Sequence, residues 1–399
     1  MKIIIETTCS PYTGERVGGA ETSLRLIAEK LAEIGHEVVL FTKSQHKKNI
    51  GFNIIKVNKV KVITFYKFNN SIFNKYYFKN KFKYFRNQLK SFYIKKADIV
   101  HFHYNLPLFE FYHPLKEKHN FKVVIRVAGL KPYEDIKAKP EFIDRYQKMF
   151  YDSDLLNFIS KGLLKLYNQK IKTEKKHINI NNNYFIKDIG FRDVNQFKNK
   201  YNFRKKTEPF KLVMASRFSS YQKRQDLLID TMQLVETENI HLTLIGSGPM
   251  EGKLQEKIHA KKLENRITII PFLNQHELWG YLQGFNLLVH ACDYEGLSKI
   301  IIESMGYGLP VLASNVLPLN DYIEDDKNGF LVDNNPQSWA SKIKLLSKRK
   351  NLNQISFNSK KFIENEYEAN KNVVDYEKQF ENLIFSSSKR ISSHTAKII

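Results

Sequence analysis

The second half of the chain alternates short apolar runs with stretches of helical periodicity, and this alternation constrains the fold more than any other feature. The runs begin, at intervals of 30, 25, 20 and 24 residues, near Lys211, His241, Arg266, Asn286 and Pro310. Because a helical pattern fills each interval, successive strands are joined through helices and must lie parallel. A parallel sheet of this kind is covered by helices on both faces. The pattern therefore predicts a doubly wound α/β domain.

The first half begins with the same rhythm. An apolar run ends at Ile5, a loop rich in glycine follows, and apolar residues then recur at helical spacing over residues 20–34. Gly35 ends this predicted helix, and residues 36–42 are typical of a second, parallel strand. Further strands are predicted at residues 99–102, 123–127 and 155–160.

The length of 399 residues suits two domains. We expect an N-terminal Rossmann-like domain over residues 1–190 and a linker over residues 191–206. A C-terminal Rossmann-like domain follows over residues 207–365, then a helix over residues 366–385 and a disordered tail over residues 386–399. Two doubly wound domains are expected to face a central cleft, because such sheets bind ligands at the carboxyl ends of their strands.

Two carboxylates eight positions apart, Glu295 and Glu303, follow the run that begins at Asn286. If the next helix begins near Ser298, its free N–H groups form a binding site for a phosphate. Glu303 then lies between one and two turns into the helix, close enough to its start to accept hydrogen bonds from a sugar diol. From the pair alone, a surface helix residue and a loop carboxylate favoured by the helix dipole are an equally good interpretation.

The segment of residues 295–310 resembles the Glu-x7-Glu signature of family 4 retaining glycosyltransferases, which have the GT-B fold. Gly306, Gly308 and Pro310 complete that likeness. The resemblance extends over nearly the whole chain, through residues 17–21, 98–103, 216–228, 242–249 and 328–332.

This resemblance implies a hexosyltransferase that moves a sugar from a nucleotide-diphosphate donor, such as a UDP-sugar, to a glycan or glycolipid acceptor. The N-terminal domain would hold the acceptor and the C-terminal domain the donor. Retention of anomeric configuration and independence of any metal or other cofactor are implied as well. Bacterial surface polysaccharide or lipopolysaccharide biosynthesis is the expected setting. Another GT-B enzyme, such as a nucleotide-sugar epimerase or a phosphorylase, is the first alternative, and a basic nucleic-acid-binding protein is the second.

The resemblance also implies roles for single residues. Arg217 and Lys223 would contact the donor diphosphate and, with Glu295, form the catalytic set, because cations stabilise the charge that develops on the leaving group. Arg224 is a second candidate for the role of Lys223, since the run from Arg217 is one residue longer than is usual in the family. Glu303 would bind the ribose, and Glu295 the hydroxyls of the transferred sugar. The other predicted donor-binding residues are Gly18, Gly19, Gly246, Phe272, Gly296, Leu297 and Ser298.

On the acceptor side the predicted contact is His103. In many relatives a His follows the strand equivalent to residues 123–127, whereas this chain has Ala128-Gly129 there. We expect no metal site. The sequence Asp152-Ser153-Asp154 has the form of a metal-binding Asp-x-Asp, but its place before a predicted strand is explained by a helix-to-strand junction. The two cysteines match no metal-ligand spacing.

Basic residues are concentrated in the first half of the chain. Residues 1–200 hold 38 basic and 18 acidic residues, against 26 and 23 in the remainder, within a net charge of +23. Residues 65–96 contain nine Lys or Arg and twelve Phe or Tyr but no acidic residue. Contact with an anionic membrane surface or acceptor, a genome-wide compositional bias, and nucleic-acid binding each explain such a segment. We favour the first and expect no nucleic-acid partner.

The sequence contains neither an N-terminal signal peptide nor a run of 18 apolar residues. We therefore expect a cytoplasmic protein at the inner face of the cell membrane.

Overall fold

In the computed structural model, the described residues are 1–13, 19–44, 51–66, 75–170, 178–180, 208–218, 221–235, 238–367 and 369–395. The chain divides into two units, residues 1–185 with 369–399 and residues 186–368. The predicted linker at residues 191–206 lies outside the described residues.

The first unit is built on one sheet. Its strands are β1 Lys2–Glu6, β2 Glu37–Ser44, β3 Phe52–Val57, β4 Val60–Tyr66, β5 Ile99–His103, β6 Lys122–Val127, β7 Leu155–Phe158 and β8 Ile178–Ile180. The strand order is β3-β4-β2-β1-β5-β6-β7-β8, and every pair is parallel except β3 with β4. Its first helices are α1 Gly19–Glu33, α2 Lys75–Ile94, α3 Leu106–His119, α4 Lys131–Ala138, α5 Phe142–Asp152 and α6 Lys161–Lys170.

Local signals explain where these helices begin and end. The side chain of Asn105 accepts a hydrogen bond from the Leu108 amide at 3.0 Å and so caps the start of α3. Gly35, at φ +106°, ends α1 in a conformation that side chains with a Cβ rarely adopt. The apolar stripe of α1 packs with β1 and β2 in a fully buried core.

The second unit is an all-parallel sheet covered by helices. Its strands are β9 Phe210–Ala215, β10 Ile240–Ile245, β11 Ile267–Ile270, β12 Leu287–His290, β13 Val311–Ser314 and β14 Phe330–Val332. Its helices are α7 Gln225–Leu234, α8 Glu251–Ala260, α9 Gln275–Leu282, α10 Lys299–Gly306, α11 Pro336–Lys348 and α12 Leu352–Glu366. The strand order is β11-β10-β9-β12-β13-β14. The prediction of two doubly wound, Rossmann-like sheets is thereby confirmed.

The end of the chain differs from the prediction. A helix, α13, runs over Ala369–Thr395 and belongs to the first unit, where Val373, Tyr376 and Phe380 pack into the core beside α1. Helix α13 continues through residues 386–395 of the stretch that was predicted to be a disordered tail, and residues 396–399 lie outside the described residues. A helix anchored by packing adds one hydrogen bond for each further residue, and neither Gly nor Pro interrupts residues 386–395.

A second difference lies at the edge of the first sheet, where β3 and β4 form an antiparallel hairpin that the sequence pattern did not indicate. Asn58 and Lys59 make the turn with φ of 46° and 67°. Glycine usually marks a turn of this kind, and here it is absent. Residues 65–96 turn out to hold the end of β4 and all of α2. Among the described residues, no helix combines the length and apolar character needed to cross a bilayer.

Candidate active site

The strand order of the second unit marks where a ligand would bind. β9 has β10 on one side and β12 on the other, so the chain reverses its direction of progress through the sheet between β9 and β12. Doubly wound sheets bind ligands at the carboxyl ends of the strands at such a switch point. The segment around Lys223 follows β9, and the segment around Glu295 follows β12, so both reach this point.

The side chains of Lys223 and Glu295 meet there in an ion pair, and each is 14% exposed. His290, the last residue of β12, lies beside them with its Nε2 3.2 Å from Glu295 Oε2. Its Nε2 is also 3.3 Å from Ser298 Oγ. We assign the ring proton to Nε2, because the carboxylate needs a donor. Two loops from neighbouring strands are thus tied together by one carboxylate.

The charges within this cluster stabilise one protonation state. Burial, and then the charge of Lys223, lower the pKa of His290, so the ring is neutral near pH 7. Burial alone would raise the pKa of Glu295, but the charge of Lys223 and the hydrogen bond from His290 outweigh it and hold that pKa below its usual value. Glu295 is therefore a stably ionised carboxylate.

Arg224 and Arg217 are placed differently from Lys223. The guanidinium of Arg224 contacts Asp226 at 3.2 Å and Asp293 at 2.9 Å, so two carboxylates already neutralise it. The side chain of Arg217 is exposed, and among the described residues it has no ion-pair partner, whereas its backbone oxygen accepts from Gln225 at 3.1 Å. Of the two candidates for the second cation, Lys223 is the one that reaches Glu295.

Glu303 lies inside the second unit. Helix α10 begins after Ser298, which is in an extended conformation, and Glu303 is five residues further on. The residue is 3% exposed, and its carboxylate accepts a hydrogen bond from Trp279 Nε1 at 3.2 Å and lies 3.4 Å from Lys299 Nζ. These contacts fix the orientation of the carboxylate, and its predicted contact with a ribose stays a prediction.

The remaining donor-side positions divide into tight and open ones. A Cβ on Gly246 would lie 2.0 Å from the backbone oxygen of Ser216, so only glycine fits this turn. Gly296 and Leu297 are half-buried between Glu295 and the start of α10, while Phe272 is 48% exposed. Gly19 opens α1, and Gly18 lies outside the described residues.

The first unit contains a cavity of about 450 Å³ at the carboxyl ends of β1 and β5. His103, the predicted acceptor contact, lines it together with Glu6 and Glu21. Gly129 follows β6, at the place where the family resemblance implies a histidine. A Cβ on Gly129 would lie 3.0 Å from Tyr104 Oη. The cavity is called the His103 cavity below.

The comparisons with known proteins bear on both units. The family model described as "Glycosyltransferase Family 4" matches residues 17–176, and the one described as "Glycosyl transferases group 1" matches residues 195–367. The chain belongs to glycosyltransferase family 4. Its fold is the GT-B fold: HepE of Anabaena, solved in complex with UDP and glucose, superimposes with a TM-score of 0.73 at 16% identity, over 96% of this chain and 99% of that one.

Two curated relatives of this family 4 chain differ in how much they share with it. N-acetyl-alpha-D-glucosaminyl L-malate synthase of Bacillus anthracis is 21% identical over 84% of this chain and 84% of its own length. Poly(ribitol-phosphate) alpha-N-acetylglucosaminyltransferase of Staphylococcus aureus (strain COL) is 29% identical over 43% of this chain. That second match spans only 35% of the staphylococcal protein.

One set of side chains in this family 4 chain has the spacing of a metal site. One ligand atom each from His290, Cys292 and Glu295 lies within 4.8 Å of the others. Burial, and then the charge of Glu295, raise the pKa of Cys292 to about 12, so the thiol keeps its proton. Because the ammonium of Lys223 also occupies Glu295, the donor set suits a metal poorly. Asp154, of the Asp-x-Asp segment, accepts from the Val123 amide at 2.7 Å.

Sequence reasoning missed His290 and Trp279, which hold the two carboxylates of the signature in place. For His290 a signal existed, since a polar residue that ends a buried strand points to the ligand-binding edge of the sheet. For Trp279 no signal existed, because α9 is brought to α10 only by the fold.

Proposed function

We propose that this family 4 chain transfers a sugar from a nucleotide-diphosphate sugar to a glycan or glycolipid acceptor with retention of anomeric configuration. The observation that carries the proposal is the cluster of Lys223, Glu295 and His290 beside the start of α10, at the switch point of the second sheet. A cation and a helix N-terminus bind phosphate groups, and a fixed carboxylate accepts hydrogen bonds from sugar hydroxyls. HepE of Anabaena was solved with UDP and glucose, and this likeness favours a UDP-sugar as donor.

In this proposal Arg217 and Lys223 bind the donor diphosphate. Among the described residues the exposed guanidinium of Arg217 has no carboxylate partner, so it can bind the phosphates without breaking an ion pair. Lys223, in contrast, must share its charge between Glu295 and the phosphates. Both cations interact most strongly when the leaving diphosphate carries its full charge, and this differential binding lowers the barrier. The N–H groups at the start of α10 bind a phosphate oxygen, and Glu303 and Glu295 accept from the ribose and from the transferred sugar.

Retention follows if the acceptor attacks from the face that the diphosphate leaves. The bond from the anomeric carbon to the phosphate oxygen breaks, the acceptor oxygen bonds to that carbon, and the acceptor proton passes to the departing phosphate. Glu295 then serves as a fixed charge, because its lowered pKa makes it a weak base. No metal or other cofactor takes part in this scheme.

The acceptor is proposed to bind in the first unit, in the His103 cavity. An anionic or membrane-attached acceptor suits the basic first half, and the staphylococcal relative acts, by its name, on poly(ribitol-phosphate).

Helix α2 exposes Tyr84 and Phe92 by 67% and 68%. Rings and lysines so placed suit the inner face of a membrane during surface polysaccharide or lipopolysaccharide synthesis. Flotation on phosphatidylglycerol vesicles but not on phosphatidylcholine vesicles is expected, and failure on both would contradict the membrane contact.

The assignment of the donor site is tested by substitution. We expect Arg217→Ala and Glu303→Ala each to abolish sugar transfer while the folded structure remains. The control is Lys253→Ala, which removes an exposed lysine from α8 and should keep full activity. Two further reactions distinguish the alternatives: an epimerase forms an epimer from the nucleotide sugar alone, and a phosphorylase forms a sugar phosphate from a glycan and inorganic phosphate. Near-normal transfer by either donor-site variant would refute the assignment.

A further inference from the structure

Four of the ten residues that line a second cavity in the first unit are cations. This cavity has a volume of about 440 Å³ and is called the basic pocket. Its charged lining residues are Lys43, Lys83, Arg86, Lys90 and Glu110. Lys83, Arg86 and Lys90 follow one another at helical spacing on one face of α2, opposite Lys43 at the end of β2.

Two of these charges are already neutralised. Lys90 is buried and forms an ion pair with Glu6, which also accepts a hydrogen bond from the hydroxyl of Tyr112 at 2.5 Å. Glu110 at the rim pairs with Arg145. Lys43, Lys83 and Arg86 pair with no carboxylate among the residues that the structure describes. The pocket therefore carries three uncompensated positive charges.

Two of these cations, Lys43 and Arg86, are partly removed from water and repel one another, whereas Lys83 is exposed. Burial, and then the charge of Arg86, lower the pKa of Lys43. The Nε–H of Arg86 is buried and has no acceptor among the described residues. An unsatisfied buried donor is costly, and a bound anion would satisfy it.

We propose that the basic pocket binds a phosphate group of the acceptor. The inference rests on the proposed glycosyltransferase function and names the acceptor class: a phosphorylated compound. An Arg fork flanked by ammonium groups matches a phosphate, which carries more charge and more acceptor atoms than a carboxylate. Asn87 and Asn105 add amide groups to the wall.

The position of the basic pocket explains how one acceptor would use both cavities. The segment at Asn105, Pro107 and Leu108 lines the basic pocket and the His103 cavity alike. The side-chain oxygen of Asn105 caps α3, which leaves its amide nitrogen as a donor at this shared rim. A phosphate in the basic pocket therefore places the neighbouring part of the same molecule in the His103 cavity, where the reacting hydroxyl is proposed to lie.

The test compares the full-length protein with two double variants by calorimetry against inorganic phosphate. Lys43→Gln with Arg86→Gln removes two pocket cations, and Lys95→Gln with Lys96→Gln removes two exposed lysines just after α2, outside the pocket. We expect phosphate to bind the pocket variant at least about tenfold more weakly, since each charge-assisted hydrogen bond is strong. The control variant should bind phosphate like the wild type. Equal binding by all three proteins would overturn the proposal, as would binding that Arg217→Gln alone abolishes.

Vesicles distinguish the two sources of the phosphate. If phosphatidylglycerol vesicles compete with inorganic phosphate for the wild type but not for the pocket variant, the group is a lipid headgroup. If only free phosphate binds through the pocket, the acceptor is a soluble phosphate ester. Stabilisation by sugar nucleotides, measured on the same proteins, should be unaffected by the pocket substitutions. If sugar nucleotides do not stabilise the wild type, the proposed donor site is refuted, whereas the evidence for phosphate binding in the basic pocket is unaffected.

Discussion

Removing the ammonium of Lys223 should destabilise the second unit through Glu295. Lys223→Met leaves an ionised carboxylate, 14% exposed, that keeps the neutral His290 at 3.2 Å and the Gly296 amide at 3.3 Å but loses its ion pair. Breaking a buried ion pair by removing one partner costs about 3 to 5 kcal/mol, and the remaining exposure places this case at about 3 kcal/mol. The double variant Lys223→Met/Glu295→Gln leaves no unpaired charge, so it should recover most of that loss.

The pH dependence of this effect has a definite sign. In the wild type the pKa of Glu295 is lowered, so its contribution is present above the unfolded-state pKa of about 4.3 and is lost as the pH falls. Without Lys223, only His290 still opposes the effect of burial, so we expect that pKa to rise above about 4.3 and the carboxylate to destabilise the fold increasingly as the pH rises beyond that value. The deficit of the single variant relative to the double variant should therefore grow from about pH 5 to about pH 7.

Urea unfolding followed by tryptophan fluorescence measures this directly, because both tryptophans of the chain, Trp279 and Trp339, lie in the second unit. The matched control is Lys257→Met, which removes a more exposed partner of Asp230 and should cost less than about 1 kcal/mol. A single variant no less stable than this control, or a deficit that stays flat with pH, would refute the reasoning.

Two further predictions concern single side chains. Tyr376→Phe removes the hydroxyl that accepts a hydrogen bond from the buried Arg126 guanidinium at 2.7 Å. The free energy of unfolding, measured by urea titration, should therefore fall by about 1 to 3 kcal/mol. The control Tyr84→Phe, on the surface, should leave the free energy of unfolding unchanged. Gly246→Ala places a Cβ 2.0 Å from a backbone oxygen and should lower the melting temperature by several degrees. The control Gly252→Ala in α8, with no atom within 4 Å of its Cβ, should raise the melting temperature slightly. The opposite order of melting temperatures would contradict the tight turn at Gly246.

The sheets could be predicted from the sequence because buried parallel strands are continuous apolar runs at regular spacing. Where the pattern was weak, the prediction failed: β3 is exposed along most of its length, and the turn before β4 has no glycine. The path of α13 back to the first unit follows from packing against α1, which no local signal announces.

The candidate site was predictable to the extent that it lies in contiguous motifs. The glutamate pair and Lys223 stand in such segments, and the fold brings Lys223 to Glu295. Which of Lys223 and Arg224 reaches Glu295 depends on distant residues, since Asp293, 69 positions from Arg224, pairs with that guanidinium. The basic pocket likewise combines β2 with α2, so its charge is visible in the sequence but its shape is not.

The proposed donor site binds a sugar nucleotide in the second unit, between Arg217, the start of α10 and the two glutamates. Thermal unfolding against a panel of UDP-, GDP- and ADP-sugars tests this site, since a ligand at about 100 times its dissociation constant stabilises the native state by about 2.7 kcal/mol. We predict that at least one sugar nucleotide raises the melting temperature of the wild type by a few degrees and that Arg217→Ala loses this shift. No shift with any sugar nucleotide, or an equal shift in Arg217→Ala, would contradict it.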